Sequence, residues 1–157
     1  MNEAVFTTSR FNDKINEVVS IIVPAKNEEN NIKDLILSIY EQSYRPIEIV
    51  IVDGGSTDRT PVIVRELAKH FNSEDFEIRL VSGGNNPVGY LRNLGILNSR
   101  GRYIVFLDAD FILLDKDFIK KIKEGLDIHP WVGVREVKTL GKDTLIKKAL
   151  VAEASAW

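Results

Sequence analysis

The chain has 157 residues, 44% of them apolar and 28% charged, with a formal net charge of −2. That length carries one domain with a real core, and the near-neutral balance gives no general pull towards nucleic acid or an anionic membrane surface. Cysteine is absent, which excludes disulfides and thiolate metal sites and fits a reducing compartment. No apolar run approaches the roughly 20 residues of a membrane span. The polar stretch Met1 to Asn16 lacks the apolar core of a signal peptide. Residues 1–17 are therefore expected to be a loose arm, and the protein cytoplasmic, including the inner face of the membrane.

Val18-Val-Ser-Ile-Ile-Val23 is a β-branched run stopped by Pro24, the pattern of a buried strand. Ile32, Leu35, Ile36, Ile39 and Tyr40 then recur at helical spacing. Ile47 to Val52 is a second buried strand, ended by Asp53-Gly-Gly55. Ser56-Thr-Asp58 offers N-cap side chains for a second helix, and Pro61 suits its first turn. Phe76 to Val81 is a third strand, followed by Ser82-Gly-Gly-Asn-Asn-Pro87 and a helix over Val88 to Asn98. Gly101 closes the turn into a fourth strand, Tyr103 to Leu107. Alternating strands and helices with near-continuous apolar strands predict an α/β fold: a mostly parallel sheet with helices on both faces. Beyond it, Phe118, Ile119, Ile122 and Leu126 mark a fourth helix stopped at His129-Pro130. Trp131 to Val137 reads as a strand, and Asp143 to Trp157 as helical.

Three strand ends carry chemistry, and in a parallel sheet they share one edge. The most telling is Asp108-Ala-Asp110. On a strand, positions i and i+2 face the same way, so both acids can address one hard divalent cation, Mg²⁺ or Mn²⁺, that bridges to phosphate. Gly54 and Gly55 allow close backbone approach to a flat ligand. Asp53 has no evident partner in the sequence and can accept a hydrogen bond from a base N–H. Arg92, one turn into the third helix, can reach a phosphate with its planar fork.

Four segments taken together resemble the family 2 glycosyltransferases of GT-A fold: Ile22-Val-Pro-Ala-Lys-Asn-Glu-Glu29, Val52-Asp-Gly-Gly-Ser-Thr-Asp-Arg-Thr60, Leu91-Arg-Asn-Leu-Gly95 and Gly101 to Asp110. The resemblance covers about residues 18–128, the expected nucleotide-sugar-binding core. It implies a nucleotide-diphospho-sugar transferase-like fold. The implied activity is inverting, metal-assisted transfer of a sugar from a UDP- or GDP-linked donor to a glycan or lipid-linked acceptor. By the same resemblance Pro24, Ala25 and Glu28 would line the nucleoside pocket, Asp53 would bind the base, and Arg92 would lie near the base or diphosphate. Asp108 would face the ribose or the metal's water shell, Ala109 would lie between the acids against the donor, and Asp110 would coordinate Mn²⁺ or Mg²⁺ directly.

Two departures from the family pattern stand out. The second strand ends Asp53-Gly54-Gly55-Ser56, where many members carry a second acid. The acceptor half, which usually supplies the catalytic base, is largely missing after Asp110. Glu136, Asp143 and Glu153 are the late acids, and none lies in a recognisable motif, so no catalytic base is assigned. Residues 129–157 are expected to be the start of that half or a C-terminal helix. The alternative function is a non-catalytic or truncated nucleotide-sugar-binding module that needs a partner segment, which would favour self-association into a homo-oligomer. Lys147 and Lys148 beside an apolar face are compatible with peripheral membrane contact, though core packing is the favoured reading. No nucleic-acid partner is expected.

Competing readings weaken on particular residues. A phosphatase would want its Asp-x-Asp on the first strand followed by Thr, and position 112 is Ile. A phospho-receiver would want acids after the first strand, where Pro24-Ala-Lys26 stands. A dinucleotide-binding fold would want a glycine-rich first turn. Asp108 and Asp110 as solvated loop acids, Glu28 as a helix-dipole partner and Arg92 as a surface residue remain the plain alternatives. His70 and His129 lack ligand spacing, and Trp131 and Trp157 read as packing anchors.

Overall fold

The computed structural model describes residues 12–128, 136–140 and 147–151. A 3-10 helix, Asn12–Glu17, precedes β1 (Val19–Ala25), α1 (Ile32–Tyr40), β2 (Ile47–Asp53), α2 (Thr60–Phe71), β3 (Phe76–Ser82), α3 (Val88–Leu97) and β4 (Tyr103–Phe106). These four strands form one all-parallel sheet in the order β3-β2-β1-β4. The register is set by Val19, which pairs with Ile47 of β2 on one side and Tyr103 of β4 on the other.

The apolar runs are continuous because both sheet faces are covered. On one face Val19, Ile21, Val23, Ile47, Ile49 and Ile51 are fully buried beneath α1 and α2. The other face packs Val50 and Val52 under α3, whose Leu91 is buried against them. Gly95 of α3 lies directly on β1: a Cβ there would come within 2.3 Å of Ile22 Cγ2. The expected helices and strands of this core all form, within a residue or two of the expected bounds.

The sequence reading needs correction elsewhere. Of the arm read over residues 1–17, positions 1–11 lie outside the described residues, while Asn12–Glu17 form the 3-10 helix and the Tyr44 hydroxyl donates to the Glu17 carbonyl at 2.5 Å. A short strand that the pattern did not reveal, β5 (Phe111–Leu113), follows the acidic pair and leads to α4 (Phe118–Ile128). The later strand is β6 (Glu136–Leu140), so the Trp131 to Val137 reading overlaps it only at its end; positions 131–135 lie outside the described residues. The helix read over Asp143 to Trp157 is contradicted at its centre, where β7 (Lys147–Val151) is a strand. β7 pairs parallel with β5 and antiparallel with β6, as the middle of a three-stranded sheet. Helical periodicity in so short an apolar run is ambiguous, and backbone pairing on both sides decides it. Positions 143–146 and 152–157 lie outside the described residues. Among the described residues no helix is long and apolar enough to cross a membrane.

One polar cluster is built into the amino end of the four-stranded sheet. Glu48 is fully buried. Its Oε1 accepts from the Ser20 hydroxyl at 2.6 Å and from the Arg100 backbone N–H, while Arg100 Nε lies 3.4 Å from its Oε2. Arg100 also pairs with Glu77 on β3. The Gly101 N–H donates to Ser20 Oγ at 2.8 Å, an approach that leaves no room for a side chain. The α3–β4 turn is thereby fixed to β1, β2 and β3, which sets where β4 begins. Removing one member of a buried ion pair strands the others. Glu48→Ala should therefore lower the unfolding free energy by about 2–3 kcal/mol in urea titration, under the full buried-pair cost because Arg100 keeps some water contact. An unchanged midpoint would show that the cluster holds nothing together.

Candidate functional site: the carboxyl edge of the parallel sheet

From β1 the chain builds outward to β2 and β3, then returns through α3 to place β4 on the opposite side of β1. Such a reversal of strand order opens a crevice at the carboxyl ends, where ligands of open α/β sheets bind. The loops leave this edge in step. Gly54 N–H donates to the Ala25 carbonyl and Gly83 N–H to the Asp53 carbonyl, both at 2.8 Å, and Leu107 N–H donates to Ile22 O at 3.1 Å.

The β1–α1 and β2–α2 loops are tied together residue by residue. Asn27 adopts φ +57°, its N–H donates to Ser56 Oγ at 2.9 Å, and its Oδ1 accepts from Thr57 N–H at 2.8 Å. Glu28 N–H donates to Thr60 Oγ1 at 2.8 Å and Glu29 N–H to Asp58 Oδ2 at 3.0 Å. Asp58 Oδ1 also accepts from Thr60 N–H at 2.9 Å. The α2 N-cap position itself is Arg59, without a side-chain cap, so Asp58 caps from one residue further out than the standard position. Partial burial pushes the Asp58 carboxyl up, but the bonds from Thr60 and Glu29 outweigh this and hold it below its ordinary value.

Pro24 and Ala25 are buried at the end of β1, and Glu28 is half-buried and accepts from Asn31 Nδ2 at 2.8 Å, so one of its oxygens serves the start of α1. Asp53 is half-buried and does have a partner: its Oδ1 accepts from the Ser56 N–H at 3.1 Å. Asp53 and Ser82, register partners on β2 and β3, open onto a groove of about 470 Å³ walled by Val64, Arg65, Ala68 and Lys69 of α2. Gly55, at φ +80°, takes a conformation that favours glycine. The space above Gly54 is already filled: an added Cβ would lie 3.0 Å from Leu91 Cδ1 and 3.4 Å from Lys26 Cβ. Gly54 therefore lets α3 approach, rather than leaving the gap for a ligand that the sequence suggested. Lys26, which sequence reasoning passed over, crosses this floor and donates to Asn85 Oδ1 at 2.6 Å.

Asp108 and Asp110 follow β4 in a turn closed by Phe111 N–H donating to the Asp108 carbonyl at 3.2 Å, so the i, i+2 argument for a strand does not apply to them. Ala109 between them is buried in the main core while both acids stay partly exposed. Arg92 Nη2 donates to Asp108 Oδ1 at 3.0 Å, and its guanidinium lies 6.0 Å from the Phe106 ring centroid. Two residues singled out separately are thus in direct contact. Asp110 takes no protein partner among the described residues. Among these residues no group of three or more metal-ligating side chains occurs. Two carboxylate groups fit a hard cation that draws its remaining oxygens from phosphate and water.

A family model described as glycosyl transferase family 2 matches residues 20–147. The chain belongs to glycosyltransferase family 2. It is 32% identical over 108 residues to the glycosyltransferase GlyA of Streptococcus pneumoniae, covering 69% of this chain and 15% of that protein. Among solved structures it resembles S. aureus TarS 1–349 in complex with UDP-GlcNAc (TM-score 0.57, 28% identity, 71% of this chain, 32% of that one). It also resembles the mannosyltransferase PcManGT of Pyrobaculum calidifontis in complex with GDP-Man and Mn²⁺ (TM-score 0.62, 32% identity, 67% and 31%). The fold is GT-A, and the chain spans about a third or less of the length of these three relatives.

The Asp58 staple sets a pH dependence. Its carboxyl titrates below the ordinary 3.8 when folded, so its contribution is complete above about pH 4 and is lost as pH falls through the depressed folded value. Asp58→Ala should cost about 1 kcal/mol at pH 7, the usual worth of such a cap. Chemical denaturation at stepped pH should then show the two proteins converging below about pH 4. A difference that stays constant down to pH 2 would mean that Asp58 is not held as the anion by these bonds.

Proposed function

We propose that this chain is the donor-binding part of an inverting, metal-assisted glycosyltransferase that takes a UDP- or GDP-linked sugar. The observation that carries the reading is the contact of Arg92 with Asp108 at the carboxyl edge of the sheet, the edge on which Asp53 and Asp110 also lie. TarS and PcManGT, solved with UDP-GlcNAc and with GDP-Man and Mn²⁺, support that class of donor.

In this reading the second oxygen of Asp53 accepts a hydrogen bond from a base N–H, while the first stays with Ser56. Pro24, Ala25 and Glu28 border the nucleoside. Arg92 presents parallel N–H groups to phosphate oxygens, and Asp108 and Asp110 hold Mn²⁺ or Mg²⁺. When bound, the cation neutralises charge that develops on the diphosphate leaving group. Ala109, fixed in the core, keeps the acidic turn from collapsing inward. The acceptor is a glycan or a lipid-linked phosphate. An acceptor phosphate is already ionised and needs no strong base, which accommodates a chain to which no catalytic base is assigned.

Calorimetry with UDP, GDP, CDP and TDP, each with Mn²⁺ and with chelator, tests the reading. One nucleotide should bind in a metal-dependent way, and Asp110→Asn should weaken it by more than about ten-fold, a loss typical even of groups that merely support a metal ligand. Equal affinity with chelator would refute the metal's part, and no binding by any nucleotide would refute the donor site.

A further inference from the structure

We propose that the outer edge of β3, with the groove beneath α2, is a docking site for an extended acidic segment of another protein, which adds to the sheet as a further strand. The proposal stands apart from the donor-site reading, because it uses the outer side of β3 rather than the crevice where strand order reverses.

β3 ends the sheet: it pairs with β2 and, among the described residues, with no second strand. Its backbone groups alternate in direction. Asp75 and Gly83 bond inward, the Asp75 carbonyl accepting from Ile47 N–H at 3.0 Å and Gly83 N–H donating to the Asp53 carbonyl at 2.8 Å. Residues 76, 78, 80 and 82 therefore turn their backbone groups outward. The protein itself closes half of that edge. Ile78 N–H donates to Asn72 Oδ1 at 2.7 Å, and Asn72 Nδ2 donates back to the Ile78 carbonyl at 3.3 Å. Ser73 N–H donates to the Phe76 carbonyl at 2.8 Å. Covering an edge in this way protects it from stray pairing. The cover ends before Leu80 and Ser82, whose outward N–H and C=O groups take no partner among the described residues.

The uncovered half faces the groove of about 470 Å³, where Leu80 and Ala68 give an apolar lining. Arg65 and Lys69, four residues apart on α2 and exposed, stand over it and form no ion pair among the described residues. A segment laid along Leu80 and Ser82 gains backbone hydrogen bonds, and its alternate side chains share the face that lies under α2. Carboxylates two positions apart on that segment then meet the two cations. Asp53 is the single acid on the lining, at the carboxyl end of the groove, so the partner's acids belong beside α2 rather than at that end. The same charges disfavour a second copy as the occupant. An antiparallel pair of β3 edges about a twofold axis would bring two sets of Arg65 and Lys69 together, and like charges across such a pair repel.

An acetylated, amidated peptide alternating Glu and Val, added to the full chain and followed by nuclear magnetic resonance, tests this. It should shift the amide signals of Leu80 and Ser82 and slow their hydrogen exchange, while the Ile78 amide, already held by Asn72, keeps its rate. A peptide alternating Lys and Val should bind about ten-fold more weakly, the combined scale of two exposed ion pairs. Reversing the cations together, Arg65→Glu with Lys69→Glu, should invert that preference. Lys33→Gln, a charge change at an exposed site on α1, should leave it as it is. The docking site is overturned if the Glu–Val peptide does not bind, if both peptides bind native protein equally, or if the shifts fall away from β3 and α2. It is overturned too if UDP or GDP displaces the peptide, which would make the groove part of the donor site. Dimers of the native protein alone, with the Leu80 and Ser82 amides protected, would make a second copy the occupant and overturn it as well.

Discussion

The site depends on β1 being hydrogen-bonded along both edges. A strand that pairs in parallel with β2 on one side and β4 on the other must have its successor loops diverge at its carboxyl end. Everything that reads as chemistry lies on that divergence: Asp53 beyond one neighbour, Asp108 and Asp110 beyond the other, and Arg92 on the helix that connects the two halves. Parallel strands with short helical crossovers leave little freedom in this arrangement, because each crossover must return to the same edge in the same hand. The Glu48 cluster and the seat of Gly95 on Ile22 fix α3 and the start of β4, and so the distance over which Arg92 meets Asp108.

Most of this core was legible in the sequence because its strands are buried on both faces. Runs such as Ile47 to Val52 admit few other readings, and Gly and Pro punctuate them where the loops begin. The acidic pair stood out in the sequence, but the structure places it in a turn rather than on a strand, with Ala109 between the two acids held in the core. The misreadings share a cause. β5 is three residues long and β7 five, and strands so short owe their existence to partners distant in sequence rather than to any periodicity of their own. Glu48 carries no signal either. Within Ile47-Glu-Ile-Val it looks like the polar member of an ordinary strand, and only the arrival of Ser20, Arg100 and Gly101 from far along the chain makes it a fixed point.

The glycines teach a related lesson. A pair such as Gly54-Gly55 suggests room for a ligand, but the two residues answer different constraints. Gly55 is required by its backbone conformation, at φ +80°. Gly54 is required because Leu91 and Lys26 fill the space where its side chain would stand. Neither fact depends on a nucleotide, although both shape the crevice in which one would lie. Residue type alone does not separate a glycine that admits a ligand from one that admits the protein itself.

Two arginine–carboxylate contacts at opposite ends of one sheet show how the same chemistry serves opposite ends. At the amino end Glu48 is fully buried, several donors converge on it, and the cluster is expensive to break because a charge would be left unpaired out of water. At the carboxyl end Asp108 is nearly half exposed and holds one bond to an arginine that keeps an unmet donor. That contact is cheap to exchange. A scaffold needs the first kind of pair and a ligand site the second, since a carboxylate already fully satisfied by protein has nothing left to offer a cation. Burial, rather than the identity of the partners, divides the two roles.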